Sequence, residues 1–338
     1  MMDPNDLHLD QSSTIQSKYY TISDFNDSLN NTSQSEPNLS NFNPTQNSHF
    51  PSHPGTDLIN NFSLLHWNAR SLNKNFESLE LLLSSLQNYP FSGIGITETW
   101  LHHNSPNLFN IDHYKLFRSD RKTGRGGGVA IYMQNQLRVK VRTDIHIEGC
   151  EDLFVEITND KNKNKVVGVI YRPPNYAVDI FLNHLDELLI SLTRENKDVY
   201  LMGDFNIDMA KTDTLALKLL NTFTSFAFHS HIQNPTRITQ TSNTLLDNIF
   251  SNVLDRNDFT NGIIFYDASD HLPIFTISLQ QDFIHDTKKA KELYRKETDS
   301  NIELLKTDLS QEEWGDVFRE KDIDRAYEVF LNKFLFHL

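Results

Sequence analysis

The residues of this chain that are able to do chemistry stand where short apolar runs stop. Leu64-Leu65-His66-Trp67 runs into Asn68, Gly93-Ile94-Gly95-Ile96-Thr97 into Glu98, and the run Val166–Ile170 into Tyr171-Arg172. Leu201-Met202-Gly203 runs into Asp204-Phe205-Asn206, Leu245-Leu246 into Asp247-Asn248, and Ala268-Ser269 into Asp270-His271. Together these six ends supply three amides, four carboxylates, a phenol, a guanidinium and an imidazole. In layered α/β domains, loops at strand ends hold polar groups on a rigid scaffold, and ligands bind there. An oxygen-rich set with His and no Cys suits a hard cation, Mg²⁺ or alternatively Mn²⁺. Singly, each has a plainer reading: Asn68 or Glu98 as a cap, Gly203-Asp204-Phe205-Asn206 as a turn, Asp270-His271 as a loop ion pair. Their shared place at the ends of apolar runs is what points to one site.

The elements that must carry these ends alternate between two periods. Leu64–Trp67, Gly93–Thr97, Gly127–Met133, Lys165–Tyr171, Val199–Met202, Gly262–Tyr266 and Leu272–Leu279 read as strands. Phe76 to Leu86, Ala177 to Thr193 and Leu215 to Phe226 read as helices; the second presents Ile180, Leu182, Leu185, Leu188, Leu189 and Leu192 on one face. Sheets with helices outside them make a layered α/β domain over residues 57–280, a normal size for one domain.

The flanks differ from this middle. Residues 1–56 hold ten Ser and eight Asn without strand or helix period, so they are expected to be a disordered leader. Residues 281–338 are expected to be a helical linker. Tyr294–Leu305 and Asp322–Leu335 read as its helices, and Ala326, Val329, Phe330, Lys333 and Phe334 form a stripe on the second. The apolar end Phe334-Leu335-Phe336-His337-Leu338 suggests that a further domain follows. The net charge of −14 taken alone weighs against a nucleic-acid partner, but the excess lies largely in these flanks. Residues 115–142 instead hold eight bases and one acid (Lys115, Arg118, Arg121, Lys122, Arg125, Arg138, Lys140 and Arg142 against Asp120), the clearest phosphate-binding candidate. No run is long enough to span a membrane. The lone Cys150 forms no intramolecular disulfide, and the start of the chain has no secretory signal pattern, so the protein is expected not to be secreted. The five Asn-x-Ser/Thr triplets are then chance matches in Asn/Ser-rich sequence.

In order and content the motifs His66-Trp67-Asn68, Thr97-Glu98-Thr99-Trp100, Ile170-Tyr171-Arg172-Pro173-Pro174, Gly203-Asp204-Phe205-Asn206, Leu246-Asp247-Asn248-Ile249 and Ser269-Asp270-His271 resemble the endonuclease/exonuclease/phosphatase superfamily of metal-dependent phosphoesterases. Trp67-Asn68-Ala69-Arg70-Ser71-Leu72, Arg125-Gly126-Gly127-Gly128-Val129-Ala130, Tyr171-Arg172-Pro173-Pro174-Asn175, Pro235-Thr236-Arg237 and Ser269-Asp270-His271-Leu272-Pro273 are most similar to the endonuclease domains of LINE-type non-LTR retrotransposons. The resemblance implies a four-layer α/β sandwich of two packed mixed sheets. It further implies a Mg²⁺-dependent endonuclease that leaves 3′-hydroxyl and 5′-phosphate ends and nicks target DNA to prime reverse transcription.

By the same resemblance Glu98 is the principal metal ligand with Asn68 and Asp270, and Asp204 orients or deprotonates the water. Asn206 and Tyr171 bind phosphate oxygens, and His271, paired with Asp247, contacts the phosphate or acts as base. Arg121, Arg125, Arg172, Asn175 and Arg237 are the expected DNA contacts, Arg237 on a hairpin or loop between Gln233 and Asn243. Element RNA and a reverse-transcriptase domain are implied partners, with nuclear action and otherwise cytoplasmic residence. Repair members carry Asp two residues after the first Asn, where this chain has Arg70; that argues against abasic-site repair and against a two-metal site. A repair nuclease or phosphoinositide phosphatase, or a non-catalytic nucleic-acid-binding remnant, are the competing readings. Two plainer features stay open. Gly124-Arg125-Gly126-Gly127-Gly128 lacks the Gly-Lys-Ser/Thr of a nucleotide loop, and its glycines let a strand begin close to the site. His229-Ser230-His231 lacks the further ligands of a zinc set.

Overall fold

The computed structural model describes residues 17–30, 61–87, 89–105, 108–122, 124–159, 163–253, 259–279 and 299–336. In chain order its first unit contains β1 (Lys18–Tyr20), α1 (Ile22–Asn30), β2 (Ser63–Asn68), α2 (Leu72–Ser85), β3 (Gly93–Thr97), β4 (Tyr114–Ser119), β5 (Val129–Gln134), β6 (Val139–Val141), β7 (Glu151–Ile157), β8 (Lys165–Tyr171), α3 (Val178–Arg194) and β9 (Asp198–Asp204). It continues with α4 (Thr214–Ser225), β10 (His229–Ser230), β11 (Arg237–Ile238), β12 (Asn243–Thr244), β13 (Asp247–Ser251), β14 (Phe259–Ile264) and β15 (Ile274–Ser278).

One sheet has the order β1-β14-β15-β2-β3-β5-β4, the other β10-β13-β9-β8-β7-β6, and β11 pairs β12 as a separate ribbon. Both sheets are mixed: β2–β3 and β8–β9 run parallel, their other described neighbours mostly antiparallel. Strand alternation sorts the side chains into layers. Leu64, Val129, Ile131 and Met133 join the core between the sheets, whereas Leu65, Trp67, Ala130 and Tyr132 pack with Leu79 and Leu82 of α2 and Phe25 of α1. The sheets approach closely at Gly95, where a Cβ would stand 2.6 Å from Met202 Cε and 2.7 Å from Val169 Cγ2. On the far side, α3 buries Phe181, Leu182, Leu185, Leu188, Leu189 and Leu192. Ile180, expected on that face, points to solvent at 50% exposure, and Phe181 takes its place. The fold is a four-layer α/β sandwich.

Capping explains two helix starts. Ser71 Oγ accepts from the Lys74 amide, so α2 begins at Leu72, a turn earlier than its apolar period indicates. Asp213 accepts from the amides of Leu215 and Ala216 at the head of α4.

The leader needs correction in part. Residues Ser17–Asn30, expected to be disordered, contain β1 and α1; β1 pairs parallel with β14, Lys18 opposite Gly262. A three-residue strand shows no period. Its stabilising partners are distant: Tyr19 stacks on Phe265 and Phe25 packs against Tyr89, Phe91 and Phe275. Burying each such ring contributes roughly 1.5–3 kcal/mol. The rest of the leader lies outside the described residues.

A second compact unit, Asp286–Leu338, contains α5 (Asp299–Gln311), α6 (Gly315–Arg319) and α7 (Ile323–Phe336). The expected helix at Tyr294 to Leu305 is described from Asp299 onward and continues to Gln311; its earlier residues lie outside the described set. Within the unit Phe330 stacks on Phe334 and lies against Trp314. Among the described residues no helix is long and apolar enough to cross a membrane.

Candidate active site at the strand ends

The parallel pairing of β2 with β3 sets Asn68 opposite Thr97 and brings Asn68 beside Glu98. Asn68 Nδ2 donates to Glu98 Oε1 at 3.0 Å and, across the sandwich, to Asp204 Oδ2 at 2.9 Å. One amide therefore ties a carboxylate on each sheet. Glu98 and Trp100 both take left-handed backbone conformations (φ 52° and 56°), which return the chain so that Trp100 Nε1 donates to Glu98 Oε2 at 3.0 Å. The turn leans on the glycine run: the amides of Thr99 and Trp100 donate to the carbonyls of Gly128 and Gly127. A Cβ at Gly128 (φ 79°) would strike Thr99 Oγ1, and β5 begins at the next residue.

In the second sheet Asp204 closes β9 opposite Asp247, which opens β13, and opposite Tyr171 at the end of β8. His271 Nδ1 donates to Asp247 Oδ2 at 2.8 Å, and Thr236 Oγ1 donates to the same oxygen at 2.7 Å. The His271 backbone is held as well: its carbonyl accepts from Trp67 Nε1 and from Ser269 Oγ, and its amide donates to Ser269 Oγ. One potential ligand atom from each of Asp204, Asp247 and His271 lies within 4.8 Å of the others. Asp270 faces two guanidiniums, Arg70 Nη1 and Arg237 Nε each 2.8 Å from its Oδ2.

Residues 65–271 match the model of the Endonuclease/Exonuclease/phosphatase family. The chain belongs to this family. Among solved structures it is similar to the endonuclease domain of TRAS1, a telomere-specific non-LTR retrotransposon (14% identity, 65% of this chain and 99% of that one, TM-score 0.52). It is also similar to the 3′ phosphatase NExo from Neisseria bound to product DNA hairpin (15%, 64% and 98%, TM-score 0.51) and to the AP endonuclease LMAP from Leishmania major (12%, 64% and 87%, TM-score 0.52). At these identities the likeness is one of fold. No curated protein sequence matches the chain. Members of the family are hydrolytic phosphoesterases and generally depend on a divalent metal.

The donors here fit such an ion. Among the described residues Glu98 accepts hydrogen bonds from the neutral groups of Asn68 and Trp100, which leaves lone pairs on both oxygens. Asp270 Oδ1 is buried without a hydrogen-bond partner among the described residues. Glu98, Asp204 and Asp270 offer carboxylate oxygens of the kind hard cations take, whereas Asn68 turns its Nδ2 to Glu98 and Asp204 and its Oδ1 to the Arg70 amide.

Burial and neighbouring charge divide the titratable groups. Burial first, then the charge of Asp247, raises the Asp204 carboxyl above its ordinary range. Burial would raise Asp247 as well, but the charge and hydrogen bond of His271 hold it low. Burial opposes the His271 charge, yet Asp247 outweighs it and raises the imidazole to about 9, so it is a cation at neutral pH. The Tyr171 hydroxyl is pushed up by burial and then by the charges of Glu98 and Asp204.

The expected DNA contacts divide. Arg125 is exposed with its guanidinium 5.2 Å from the Trp100 ring centre, and Asn175 is exposed. Arg237 lies on the β11–β12 ribbon, where a hairpin was expected, at the site's edge. Arg121 is taken up by a two-bond ion pair with Glu151 and by the Arg125 carbonyl.

Arg172 is a correction: it is 2% exposed and donates to the carbonyls of Phe205, Asn206, Pro173 and Tyr176, so it holds the site's loops and cannot reach DNA. The basic stretch 115–142 shrinks likewise, because Arg118 pairs with Asp120 and Arg142 with three carboxylates. His231 directs its two ring nitrogens to Ser251 and Asn261.

Sequence reasoning missed the supports of the Asp247–His271 pair. Thr236 gave no chemical signal of its own. His66 was seen only as part of a motif; it is fully buried with Nδ1 4.0 Å from Asp247 Oδ1, and burial lowers its pKa to about 4, keeping it neutral.

Proposed function

We propose that the protein is a metal-dependent DNA endonuclease that hydrolyses a phosphodiester to 3′-hydroxyl and 5′-phosphate ends, nicking target DNA to prime reverse transcription by a non-LTR retroelement. The observation that carries this reading is the Asn68 amide joining Glu98 to Asp204 across the two sheets, beside the Asp247–His271 pair. The retroelement role is favoured by the Arg70 motif and by the fold shared with the TRAS1 domain. A DNA substrate is favoured by the fold shared with NExo, itself bound to a DNA hairpin. Element RNA, a reverse-transcriptase domain and nuclear action come with the same reading.

A divalent cation held by Glu98, with Asn68 and Asp270, would act as a Lewis acid on the departing 3′ oxygen. Asp204, buried and raised in pKa, receives the proton of the attacking water while the Asn68 amide and the Asn206 N–H fix its carboxylate. His271, already protonated, is better suited to donate from Nε2 to a phosphate oxygen than to serve as the base; Asp247 fixes its ring through Nδ1. Tyr171 and Asn206 donate to the non-bridging oxygens as charge builds on them. The fold likeness to LMAP supports a second reading as an abasic-site nuclease.

The test is incubation of supercoiled plasmid with Mg²⁺. Relaxed circles whose 3′ ends a polymerase can extend are expected, abolished by chelator and in Glu98→Ala. Absence of relaxed circles, or equal nicking by that variant, overturns the proposal; cleavage confined to abasic duplexes supports the second reading.

A further inference from the structure

The N-terminal segment lies more than two hundred residues from Gln233 in sequence, yet it is bonded to the short stretch that leads into the site. The Ser17 amide donates to Gln233 Oε1 at 2.9 Å. Ser17 Oγ accepts from the amides of Gln233 at 2.8 Å and Asn234 at 3.3 Å. Asn234 Nδ2 donates to the Ser17 carbonyl, and the Tyr19 hydroxyl donates to the Pro235 carbonyl at 2.9 Å. Ser17 is only 2% exposed.

The segment is itself anchored. β1 pairs with β14, the Phe265 amide donates to the Tyr20 carbonyl, Phe25 is fully buried, and Asn26 Nδ2 donates to the Ser85 carbonyl.

The residues that follow Pro235 support the Asp247–His271 pair. Thr236 Oγ1 donates to Asp247 and accepts from the amides of Leu246 and Asp247. The Thr236 carbonyl accepts from the Leu272 amide. Arg237 pairs with Asp270 and forms a backbone bridge with His271. The β11–β12 ribbon has only two paired positions, and so short a hairpin is marginal by itself. Its base has to be held from outside.

We propose that Ser17–Tyr20 is a positioning element of the site: by fixing Gln233–Pro235 it places Thr236 and Arg237, and through them Asp247, Asp270 and His271. Ser17 and Tyr19 are its positioning residues. The inference rests on the reading of these residues as the active site.

The test uses the full chain carrying Ser17→Ala with Tyr19→Phe, and as control Asn26→Ala, which removes one hydrogen bond from α1 to the Ser85 carbonyl and leaves β1, its pairing with β14 and the contacts of Ser17 and Tyr19 in place. Hydrogen exchange is followed at the amides of Thr236, Leu246, Asp247 and Leu272. Losing these hydrogen bonds should speed exchange there roughly five- to tenfold, with β8 and β9 unchanged and no such local effect in the control. The kcat for plasmid nicking should fall in the double variant and not in the control. Unchanged exchange at the four amides, or an equal rise in Asn26→Ala, overturns the proposal. If the wild-type protein nicks no DNA, the nuclease reading fails while exchange still decides the positioning role.

Discussion

Strands β8 and β9 carry buried charge at both ends, and the two ends are built differently. Where they begin, Lys165 meets Asp198 at 3.1 Å, and Lys197 bridges Glu156 and Glu195. Arg142 there donates to both oxygens of Asp144, both of Glu195 and one of Glu156. Where they end, Asp204 and Asp247 lie side by side, and Asp247 Oδ1, Asp270 Oδ1 and His66 Nδ1 are buried without hydrogen-bond partners among the described residues. The first end matches each buried charge with an opposite one. The second pairs Asp247 with His271 and Asp270 with two arginines, yet it also sets Asp204 beside Asp247 and leaves acceptors open, an arrangement that lowers stability but leaves capacity for an ion or a phosphate. The carboxyl ends of parallel strands are where α/β folds place ligands, and the same holds for β2 and β3.

The largest expected effect separates the two ends by activity. Asp204→Asn should cut nicking on the order of 10³-fold. Its melting temperature should stay at or above that of the wild type, because a buried carboxyl crowded by Asp247 is relieved. A fall in stability matching the loss of activity would erase the distinction.

At the other end Arg142→Ala should destabilise by about 3 kcal/mol, since it strands Glu156 and Glu195 beside one remaining lysine. For a domain of this size that is a drop in Tm of roughly 6–12 °C, read by calorimetry, with kcat per folded molecule unchanged.

The pH dependence of stability sharpens the contrast. The pKa of His271 rises from an ordinary ~6.5 to about 9 on folding, so its contribution is fully present below ~6.5 and is lost as pH rises through about 9. Arg142 lowers Glu195, and lowers Asp144 to about 2; their contribution is present above ~4 and is lost as pH falls through the folded values. Melts of chelator-treated protein should show His271→Ala flattening the alkaline limb and Arg142→Ala leaving that limb intact. An alkaline limb unaffected by His271→Ala would contradict the assignment.

The smallest effect concerns bases at the surface. Arg125→Ala should raise KM for DNA about threefold and reduce the salt slope by about one, as expected for a single phosphate contact. Arg172→Ala should lower Tm and leave the salt slope unchanged.

Much of the fold was legible because its signals are local. β3 and β8 have the bounds their apolar runs indicate, and the motifs at their ends name Glu98 and Tyr171. β7 was not recognised although it forms a central partner of β8: its run Glu151–Ile157 mixes acids with apolar residues and ends in no catalytic motif. β1 is three residues long, with its meaning supplied by β14. Among the arginines, sequence separated neither Arg172 from Arg125 nor Arg121 from either, since a guanidinium's role depends on which acceptors the fold brings to it.

The sequence by itself determined the family, the layered fold and the roster of strand-end residues, because apolar period and short motifs are written within a few neighbouring positions. Tertiary structure alone decided that Asn68 joins Glu98 to Asp204, that Arg70 and Arg237 share Asp270, and that Ser17 and Tyr19 brace the stretch before Arg237. Those pairings join residues 30 to 216 positions apart, and they follow from sheet register and from competition among side chains for the same oxygens. No local pattern records either.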